Sequence, residues 1–432
     1  MRGQTMRPML LAALLGWTCA LGWPSDSVAE PIAIVGGTVH TLGEAGTLEG
    51  ATVVIDEGRI QAVGVDVEVP EGARTLDASG RVVTPGLFES ASQIGLVEIG
   101  AEASTRDHST EDKELTASFD ISEAINPRTT LIPINRIEGL TRVLVAPRGS
   151  TSPVAGRGAV IHLGGTTGYL LESPAALFVD FGEGGAARAG GSRAATLQQF
   201  DRQLSEAGRQ RDRQSKAKRG DDEDTKPDPA LEALIPVLEG KLPVAARVER
   251  ASDIEAVLRL GQRHGLRLVI VGGAEAWIVA STLAEARVPV VLNPLDNLPA
   301  SFEYLGATLE NAARLHAAGV EIAFTSGDSH NVRNLKQAAG NAVAYGLPWE
   351  EGLKAMTVGP AKIWGLQSTY GTLEPGKDAD VVIWDGDPLE VTTFADHVFI
   401  RGKEIPMVSR QTRLRDRYLR LDRSWPHAYI EP

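Results

Sequence analysis

A series of short apolar runs through the middle of the chain sets the strongest limit on its fold. The last four runs alternate with amphipathic stretches such as DIEAVLRLGQRHG and ENAARLHAAG, about every 20 to 35 residues, as expected for strand and helix units. Eight runs can be distinguished: RVVTPGLF, TRVLVAP, AVIHLGG, ALFVD, LPVAARV, LRLVIVGG, VPVVLNP and EIAFTSGD. They predict an α/β fold, a (β/α)8 barrel of the TIM type, with a doubly wound sheet as the alternative.

Both ends of the chain are rich in short, alternating β-type runs. IAIVGGTVHT, ATVVIDEGRIQAVG and RTLDASGRVV lie near the beginning, and TLEPGKDADVVIWDGDPL and HVFIRGKEI near the end. Because the two ends share this character, we predict that residues 30–83 and 371–408 together form a small β-sandwich domain. Residues 84–370 then form the barrel.

A charged insertion interrupts the barrel pattern around residues 183–229. It contains a helical pattern with Leu197, Phe200 and Leu204 on one face, followed by the run RQRDRQSKAKRGDDEDTKPDP. We interpret this mixed charge run as a solvated, mobile insertion, and a binding tail is the alternative.

Residues 409–432 are predicted to form a C-terminal helix and tail. Leu414, Tyr418 and Leu421 occur there at helical spacing among arginines. This pattern favours a helix docked on the acidic body of the protein, with a partner-binding helix as the alternative.

The first 29 residues have the features of a signal peptide. Arg2 and Arg7 precede the apolar run MLLAALLGWTCALGW, and small residues precede a cleavage point after Ala29. A transmembrane anchor is the alternative, but the run is shorter than the roughly 20 residues that a span requires. We therefore expect an exported protein, periplasmic or secreted. Cys19 is the single cysteine, so the mature protein would contain no disulfide.

The charge of the chain limits its partners. Acidic residues number 56 against 43 lysines and arginines, which gives a net charge of -13. Such a chain has no basic field for nucleic acid and is repelled by anionic membranes. We expect a small-molecule substrate or ligand, and neither nucleic acid nor a stable membrane anchor.

Several motifs in order give a more specific indication. The chain contains IVGGTVHT, GATVVIDEGRIQAVG, VVTPGL and TVGPAKIWGLQSTYGTLEPGKDADVVIWDGDPL. Together they resemble the amidohydrolase superfamily, and particularly its imidazolonepropionase-like branch. The resemblance implies a metal-bearing (β/α)8 barrel that hydrolyses carbon–nitrogen bonds, with a β-sandwich built from both chain ends.

The resemblance also draws attention to the segment TPGLFESASQ. In that family TPGL is followed by an apolar residue, an acid and two metal-binding histidines one residue apart, and Ala91 and Gln93 stand at these two positions. The histidine of the fifth strand falls near Arg247, and that of the sixth strand at Gly272. Alanine, glycine and a guanidinium offer no metal ligand, and an amide oxygen is a poor one for zinc. The resemblance thus implies a degenerate metal site that lacks its histidine ligands.

Asp328 and His330, in FTSGDSHN, are the candidate catalytic residues. The resemblance places a metal-site aspartate after the eighth strand, and Asp328 is the matching residue. It could act as a general base, with His330 as acid, base or ligand beside it. A helix N-cap is the alternative for Asp328, and an exposed loop histidine for His330.

The substrate pocket is expected to be lined by residues on the segments that lack histidines. These candidates are Glu89, Gln93, Arg247, Glu249 and Glu275. Carboxylates there could bind a hard divalent ion. Binding of a divalent metal ion therefore stays open as a possibility, although no cofactor is predicted. The alternative is that the glutamates pair with arginines such as Arg247 and Arg250.

Three hypotheses about function follow. The first is an exported hydrolase of amide, cyclic amide or peptide-like carbon–nitrogen bonds. The second is a catalytically inactive family member, a pseudoenzyme, that binds a small molecule. The third is a subunit that forms a homo- or hetero-oligomer with an active amidohydrolase. A metal lowers the pKa of its bound water from about 15.7 to about 7, so loss of its ligands favours the second and third hypotheses.

Overall fold

The computed structural model describes residues 30–217 and 226–419. The strands in these ranges are β1 (Ile32–His40), β2 (Thr47–Asp56), β3 (Arg59–Gly64), β4 (Arg74–Asp77), β5 (Val82–Pro85), β6 (Leu87–Ser92), β7 (Leu140–Val145), β8 (Val154–His162), β9 (Leu170–Asp180), β10 (Val244–Val248), β11 (Leu268–Gly272), β12 (Val290–Leu292), β13 (Ile322–Phe324), β14 (Val381–Trp384), β15 (Ala395–Ile400) and β16 (Lys403–Glu404). The α-helices are α1 (Leu131–Arg136), α2 (Glu183–Arg188), α3 (Arg193–Ala217), α4 (Pro229–Glu232), α5 (Ile235–Leu238), α6 (Ala251–His264), α7 (Ala280–Ala286), α8 (Asn311–Ala317), α9 (Leu335–Ala344), α10 (Trp349–Lys354), α11 (Val358–Ile363) and α12 (Arg410–Leu419). The predicted signal peptide lies outside the described residues.

Strands from both ends of the chain form one sheet, as the sequence predicts. Its order is β16-β15-β14-β5-β1-β2-β3, and β4 also pairs with β1. One edge of β1 pairs first with β4, through residues 32–35, and then with β5, through residues 38–39. Gly36, between these two pairings, has φ +81°, a conformation that glycine adopts without strain. The sheet can therefore turn at this glycine and enclose a core of its own.

The middle of the chain forms the barrel. Its strands lie side by side in chain order from β6 to β13, and all neighbours are parallel except those of β8. The two ends of this order, β6 and β13, are joined through Glu89, which accepts hydrogen bonds from the hydroxyl groups of Thr325 and Ser326 and from the backbone N–H of Ser326. The fold is the predicted barrel with one reversed strand.

Strand β8 runs antiparallel to both β7 and β9. The expectation that AVIHLGG forms a parallel barrel strand is therefore wrong. A parallel connection needs a crossover of a dozen or more residues, usually a helix. Only residues 146–153 separate β7 from β8, and no helix forms there.

Side chains alternate between the two faces of each barrel strand. On β10, Val244, Ala246 and Val248 belong to the core cluster between the strands and the helices. Ala245 belongs to the second cluster, which fills the barrel interior. Because strand side chains have a period of two, Arg247 also points into the barrel.

The PGKDAD motif joins the β domain to the barrel. Arg142 on β7 is 1% exposed, and its Nε and Nη2 atoms lie 2.9 Å from Asp380 Oδ2 and 2.6 Å from Asp378 Oδ2. Its guanidinium also lies 4.2 Å from the centre of the Tyr370 ring. A paired arginine of this kind satisfies both carboxylates, so these two aspartates have a structural role.

The helix that the sequence predicts within the charged insertion is confirmed. Helix α3 extends through much of it, and Phe200 and Leu204 are each 1% exposed. The Phe200 ring packs edge-on against Phe181 with centroids 5.7 Å apart. The mixed charge run begins at Arg209. Its first part, up to Ala217, continues α3, residues 218–225 lie outside the described part, and the mobility of the run stays a prediction.

The C-terminal helix forms as predicted, but its apolar residues do not dock. On α12, Leu414 is 40% exposed and Tyr418 is 67% exposed, while Leu421 lies outside the described residues. Over residues 30–217 and 226–419, no helix has the length and apolar character needed to cross a membrane.

Candidate functional site

The candidate site lies where the parallel strands of the barrel end. In (β/α)8 enzymes, catalytic residues occupy this C-terminal end because the βα loops leave the barrel there. Gly272 is the last residue of β11, and the segments after β6, β10 and β13 bring Gln93, Glu249 and Asp328 to the same end of the barrel. They are the segments on which the sequence placed its candidates.

Glu89 is part of the barrel wall rather than of the pocket surface. It is 0% exposed and accepts hydrogen bonds from Ala91 N at 3.0 Å and from both Ser326 N and Ser326 Oγ at 2.9 Å. Burial raises the pKa of Glu89, and these hydrogen bonds act in the opposite direction. Gln93 is also buried, at 5% exposure.

Arg247 is an unpaired arginine inside the barrel. Its guanidinium carbon lies 5.1 Å from the centre of the Phe178 ring, on the adjacent strand β9. Among the described residues its side chain has neither a hydrogen bond nor an ion pair, and its nitrogens keep solvent-accessible surface. Burial, reinforced by the charge of Arg148, lowers the pKa of Arg247 to about 10.

Glu249 occupies the space above Gly272. A Cβ atom on Gly272 would lie 2.1 Å from Glu249 Oε1. The present position of the Glu249 carboxyl group therefore requires glycine at position 272. Ala274 N donates a hydrogen bond of 2.9 Å to Glu249 Oε2. Burial raises the pKa of Glu249 to about 7. A carboxyl group with such a pKa can both accept and donate a proton near neutral pH.

The loop between β12 and α8 contributes two further groups, which the sequence reasoning missed. The hydroxyl of Tyr304 lies close enough to Glu249 to oppose the rise in its pKa. Burial raises the pKa of Asp296 to about 6, and Asn293 Nδ2 donates to Asp296 Oδ1 at 2.9 Å. The length of the loop, residues 293–310, was the available signal, because long βα loops of barrels carry function.

Glu275 is engaged at the start of a helix. Its Oε2 accepts a 3.0 Å hydrogen bond from Ala251 N, the first residue of α6. Arg250 pairs with Asp253 at 3.2 Å instead of with a glutamate. Throughout the described ranges, Glu89, Glu249 and Glu275 form no ion pair with arginine, so the alternative expectation of glutamate–arginine pairs is wrong.

Asp328 stabilises the turn that follows β13 and is not the N-cap of a helix, because Asn331 occupies the N-cap position of the short helix that begins at Val332. Its Oδ1 accepts hydrogen bonds from Ser329 N at 2.5 Å and His330 N at 2.9 Å, and Asn331 Nδ2 lies 3.2 Å from Oδ2. Burial acts to raise the pKa of Asp328, but these hydrogen bonds outweigh it and lower the pKa. A base with a lowered pKa accepts a proton less readily, so its catalytic role stays a prediction that the geometry does not favour.

His330 and His162 each have partners for both ring nitrogens. His330 Nδ1 lies 3.1 Å from Ser329 Oγ, and its Nε2 lies 3.1 Å from the carbonyl oxygen of Glu98. His162 contacts the carbonyl of Gly168 at 2.8 Å and accepts from Gly164 N at 3.1 Å. His162 is thus a hydrogen-bonded structural residue, and an acid–base role of His330 stays a prediction.

The side chains at this end of the barrel do not fit the metal that the resemblance implies. Ala91, Gln93, Arg247 and Gly272 supply no imidazole, and Glu249 fills the space next to Gly272. No group of three His, Cys, Asp or Glu side chains within 30–217 and 226–419 is arranged to hold a metal ion.

Comparison with known proteins defines the family. An amidohydrolase from Thermotoga maritima MSB8 has a similar structure, with a TM-score of 0.81 and 30% sequence identity over 87% of this chain and 99% of that one. The chain belongs to the amidohydrolase family. The sequence profile of that family matches residues 244–405.

Two curated relatives resemble the chain over part of their length. Amidohydrolase tasK of Hapsidospora irregularis is 26% identical over 433 residues, which covers 92% of this chain and 43% of the relative. The imidazolonepropionase of Maricaulis maris is 29% identical over 168 residues, which covers 38% of this chain and 40% of the relative. The matched regions thus span less than half of each relative, and the imidazolonepropionase agrees with the branch that the motifs indicated.

Proposed function

We propose that the protein hydrolyses a carbon–nitrogen bond of an amide, cyclic amide or peptide-like substrate, with Glu249 as its acid–base group. Family membership supports this reaction type. The observation that carries the proposal is the position of Glu249 at the end of β10 together with its pKa of about 7. Perturbed carboxyl groups at the C-terminal end of a barrel are typical of active sites.

In this proposal, the Glu249 carboxylate takes a proton from a water molecule as the oxygen attacks the carbonyl carbon. The protonated Glu249 then gives a proton to the nitrogen as the carbon–nitrogen bond breaks. The products are a carboxylic acid and an amine, and Glu249 returns to its starting state. Positioned acid–base groups contribute about 10²- to 10⁴-fold to such reactions. Tyr304 and the Ala274 N–H hold the carboxyl group in place.

The test is hydrolysis of a panel of cyclic amides and dipeptides by the parent protein and by matched variants. Glu249→Gln keeps the shape of the side chain and removes its basicity, so kcat should fall by about 10²-fold or more. Asp328→Ala and His330→Ala should leave kcat within a few-fold of the parent. A large loss with Asp328→Ala and none with Glu249→Gln would transfer the role to Asp328, whereas no turnover of any substrate would contradict the proposal.

The metal content of the purified protein provides an independent test. Elemental mass spectrometry after dialysis against metal-free buffer is expected to find no stoichiometric transition metal, because the residues at the ligand positions are Ala91, Gln93, Arg247 and Gly272. A near-stoichiometric metal would contradict the metal-free reaction. It would direct attention to a site built from other histidines.

A second candidate function is the binding of a small molecule without turnover. The specific observation in its favour is the same set of four residues, none of which is a good zinc ligand. Equilibrium binding of a substrate-like ligand with no hydrolysis would support this function. Co-purification with a histidine-complete homologue would instead support the subunit hypothesis.

We also propose that the protein is exported, on the basis of the signal-like residues 1–29. Expression of the full chain in a bacterial host, followed by fractionation and N-terminal sequencing, tests this. A periplasmic product that begins at Glu30 is expected. A product that stays in the cytoplasm with its first 29 residues would contradict the proposal.

A further inference from the structure

An unpaired guanidinium in an enclosed position is unusual. Moving an arginine out of water is unfavourable unless an anion and hydrogen bonds compensate, so buried arginines are normally paired. Arg142, in the same barrel, follows this rule, with a carboxylate 2.9 Å from its Nε and a second 2.6 Å from its Nη2. Arg247 differs because, within the described residues, it contacts the face of Phe178 and no anion.

The neighbouring carboxyl groups are engaged elsewhere. Asp180, which lies next to Arg247 across the strand pairing, forms an ion pair of 2.7 Å with Arg188. Glu249 is held by Ala274 N and fits against Gly272. Neither group forms an ion pair or a hydrogen bond with the Arg247 guanidinium in the described part of the chain, so the two carboxyl groups act on its charge only from a distance.

A second cation lies at the rim. Arg148 follows β7, is exposed, and has no ion-pair partner in the described part of the chain. Its backbone N–H donates a 2.8 Å hydrogen bond to the carbonyl of His108, which fixes the loop that carries it. Arg148 is near enough to Arg247 for its charge to lower the pKa of that residue. Arg148 and Arg247 thus provide two cations at this mouth of a protein whose net charge is -13, beside the carboxyl group of Glu249.

We propose that Arg247 binds a carboxylate group of the substrate inside the barrel, with Arg148 attracting the anion at the rim. The planar guanidinium can donate two parallel hydrogen bonds to one carboxylate, and its accessible nitrogens are available for that contact. This inference rests on the proposed function and specifies its substrate class. The substrates are amides that carry a free carboxylate, such as N-acylated amino acids and dipeptides with a free C-terminus.

The test is direct binding, so that it does not depend on turnover. Calorimetric titrations would compare N-acetylglycine and N-acetylleucine with their uncharged amides, N-acetylglycinamide and N-acetylleucinamide. They would be made on the parent protein and on a protein carrying Glu249→Gln. We expect the acids to bind at least ten-fold more tightly than the amides, and the preference should weaken when sodium chloride is raised from 0.05 to 0.5 M.

The variants separate this site from general electrostatics. Arg247→Met should abolish the preference for the acids, and Arg247→Lys should keep part of it. Arg148→Met should weaken acid binding less than Arg247→Met. Arg263→Met is the matched control, because it removes a surface arginine that is paired with Asp201. It should leave the affinities for the acids and for the amides unchanged. Because methionine replaces a half-buried charge that has no ion-pair partner in the described residues, Arg247→Met should fold, and thermal unfolding checks this.

Equal affinity for acids and amides, no binding of either, or a preference that survives Arg247→Met would overturn the proposal. A different result would contradict the hydrolase proposal. If the acids bind through Arg247 but no member of the panel is hydrolysed, the carboxylate site stands and the protein is a binding protein.

Discussion

The raised pKa of Glu249 should make the free energy of unfolding depend on pH. The substitution Glu249→Gln should remove this dependence. Its pKa is raised from 4.5 to about 7, mainly by burial. The folded state therefore holds the proton more tightly than the unfolded state. The resulting stabilisation is fully present below about pH 4.5 and is lost as the pH rises through about 7.

The size of the effect follows from the two pKa values. The difference between 4.5 and about 7 corresponds to about 3 kcal/mol in the free energy of unfolding. Glutamine has a similar shape and does not titrate. The free energy of unfolding of the parent protein, relative to that of Glu249→Gln, should therefore fall by about 3 kcal/mol between pH 4.5 and pH 8.

Urea-induced unfolding of both proteins at pH 4.5, 5.5, 6.5 and 8 measures this difference. Glu310→Gln is the control, because Glu310 is an exposed surface residue that pairs with Arg314. The difference in the free energy of unfolding between the parent and Glu310→Gln should stay nearly constant over the same pH range. If the difference in the free energy of unfolding between the parent and Glu249→Gln is also constant within about 0.5 kcal/mol from pH 4.5 to pH 8, the pKa of Glu249 is not raised. That result would also weaken the proposed role of Glu249 as the acid–base group.

Two further predictions concern positions where the structure allows little change. Arg142→Met should lower the free energy of unfolding by about 3 to 5 kcal/mol, because it leaves Asp378 and Asp380 as uncompensated carboxylates; a change in thermal midpoint of under 1 °C would contradict the structural role of this ion pair. Gly272→Ala should destabilise the protein by about 2 kcal/mol or more, since the new Cβ would lie 2.1 Å from Glu249 Oε1 and φ is +98°. Glu249→Ala in the Gly272→Ala background should recover part of that loss in a double-mutant cycle, and strictly additive effects would show that the two residues do not interact.

The barrel could be predicted because its strands are buried on both faces and read as continuous apolar runs. The direction of β8 could not, because an apolar run has the same composition in a parallel and in an antiparallel strand. The only signal was the missing helix between TRVLVAP and AVIHLGG. The sheet of the β domain was easier to predict, since both of its contributing segments have alternating patterns and turn residues.

The candidate site could be predicted in part. Motif positions led to Arg247 and Glu249, and the structure places both at the C-terminal end of the barrel. Their partners depend on tertiary contacts that sequence spacing does not contain, so arginine–glutamate pairing was a reasonable but wrong expectation. Asp296 and Tyr304 lie on a long loop without periodicity, where the sequence does not separate inward from outward side chains. Phe302, only two residues from Tyr304, is 82% exposed.

Glu249, Gly272 and Arg247 are physically interdependent. Glu249 needs the space that the absence of a side chain at Gly272 provides, and a histidine at position 272 would collide with that carboxyl group. Arg247 needs a barrel interior without a cation, because a divalent metal held there would repel the guanidinium. An arginine, a carboxyl group with a raised pKa and a glycine thus form a consistent arrangement. Restoring one histidine would disturb this arrangement without rebuilding a set of metal ligands.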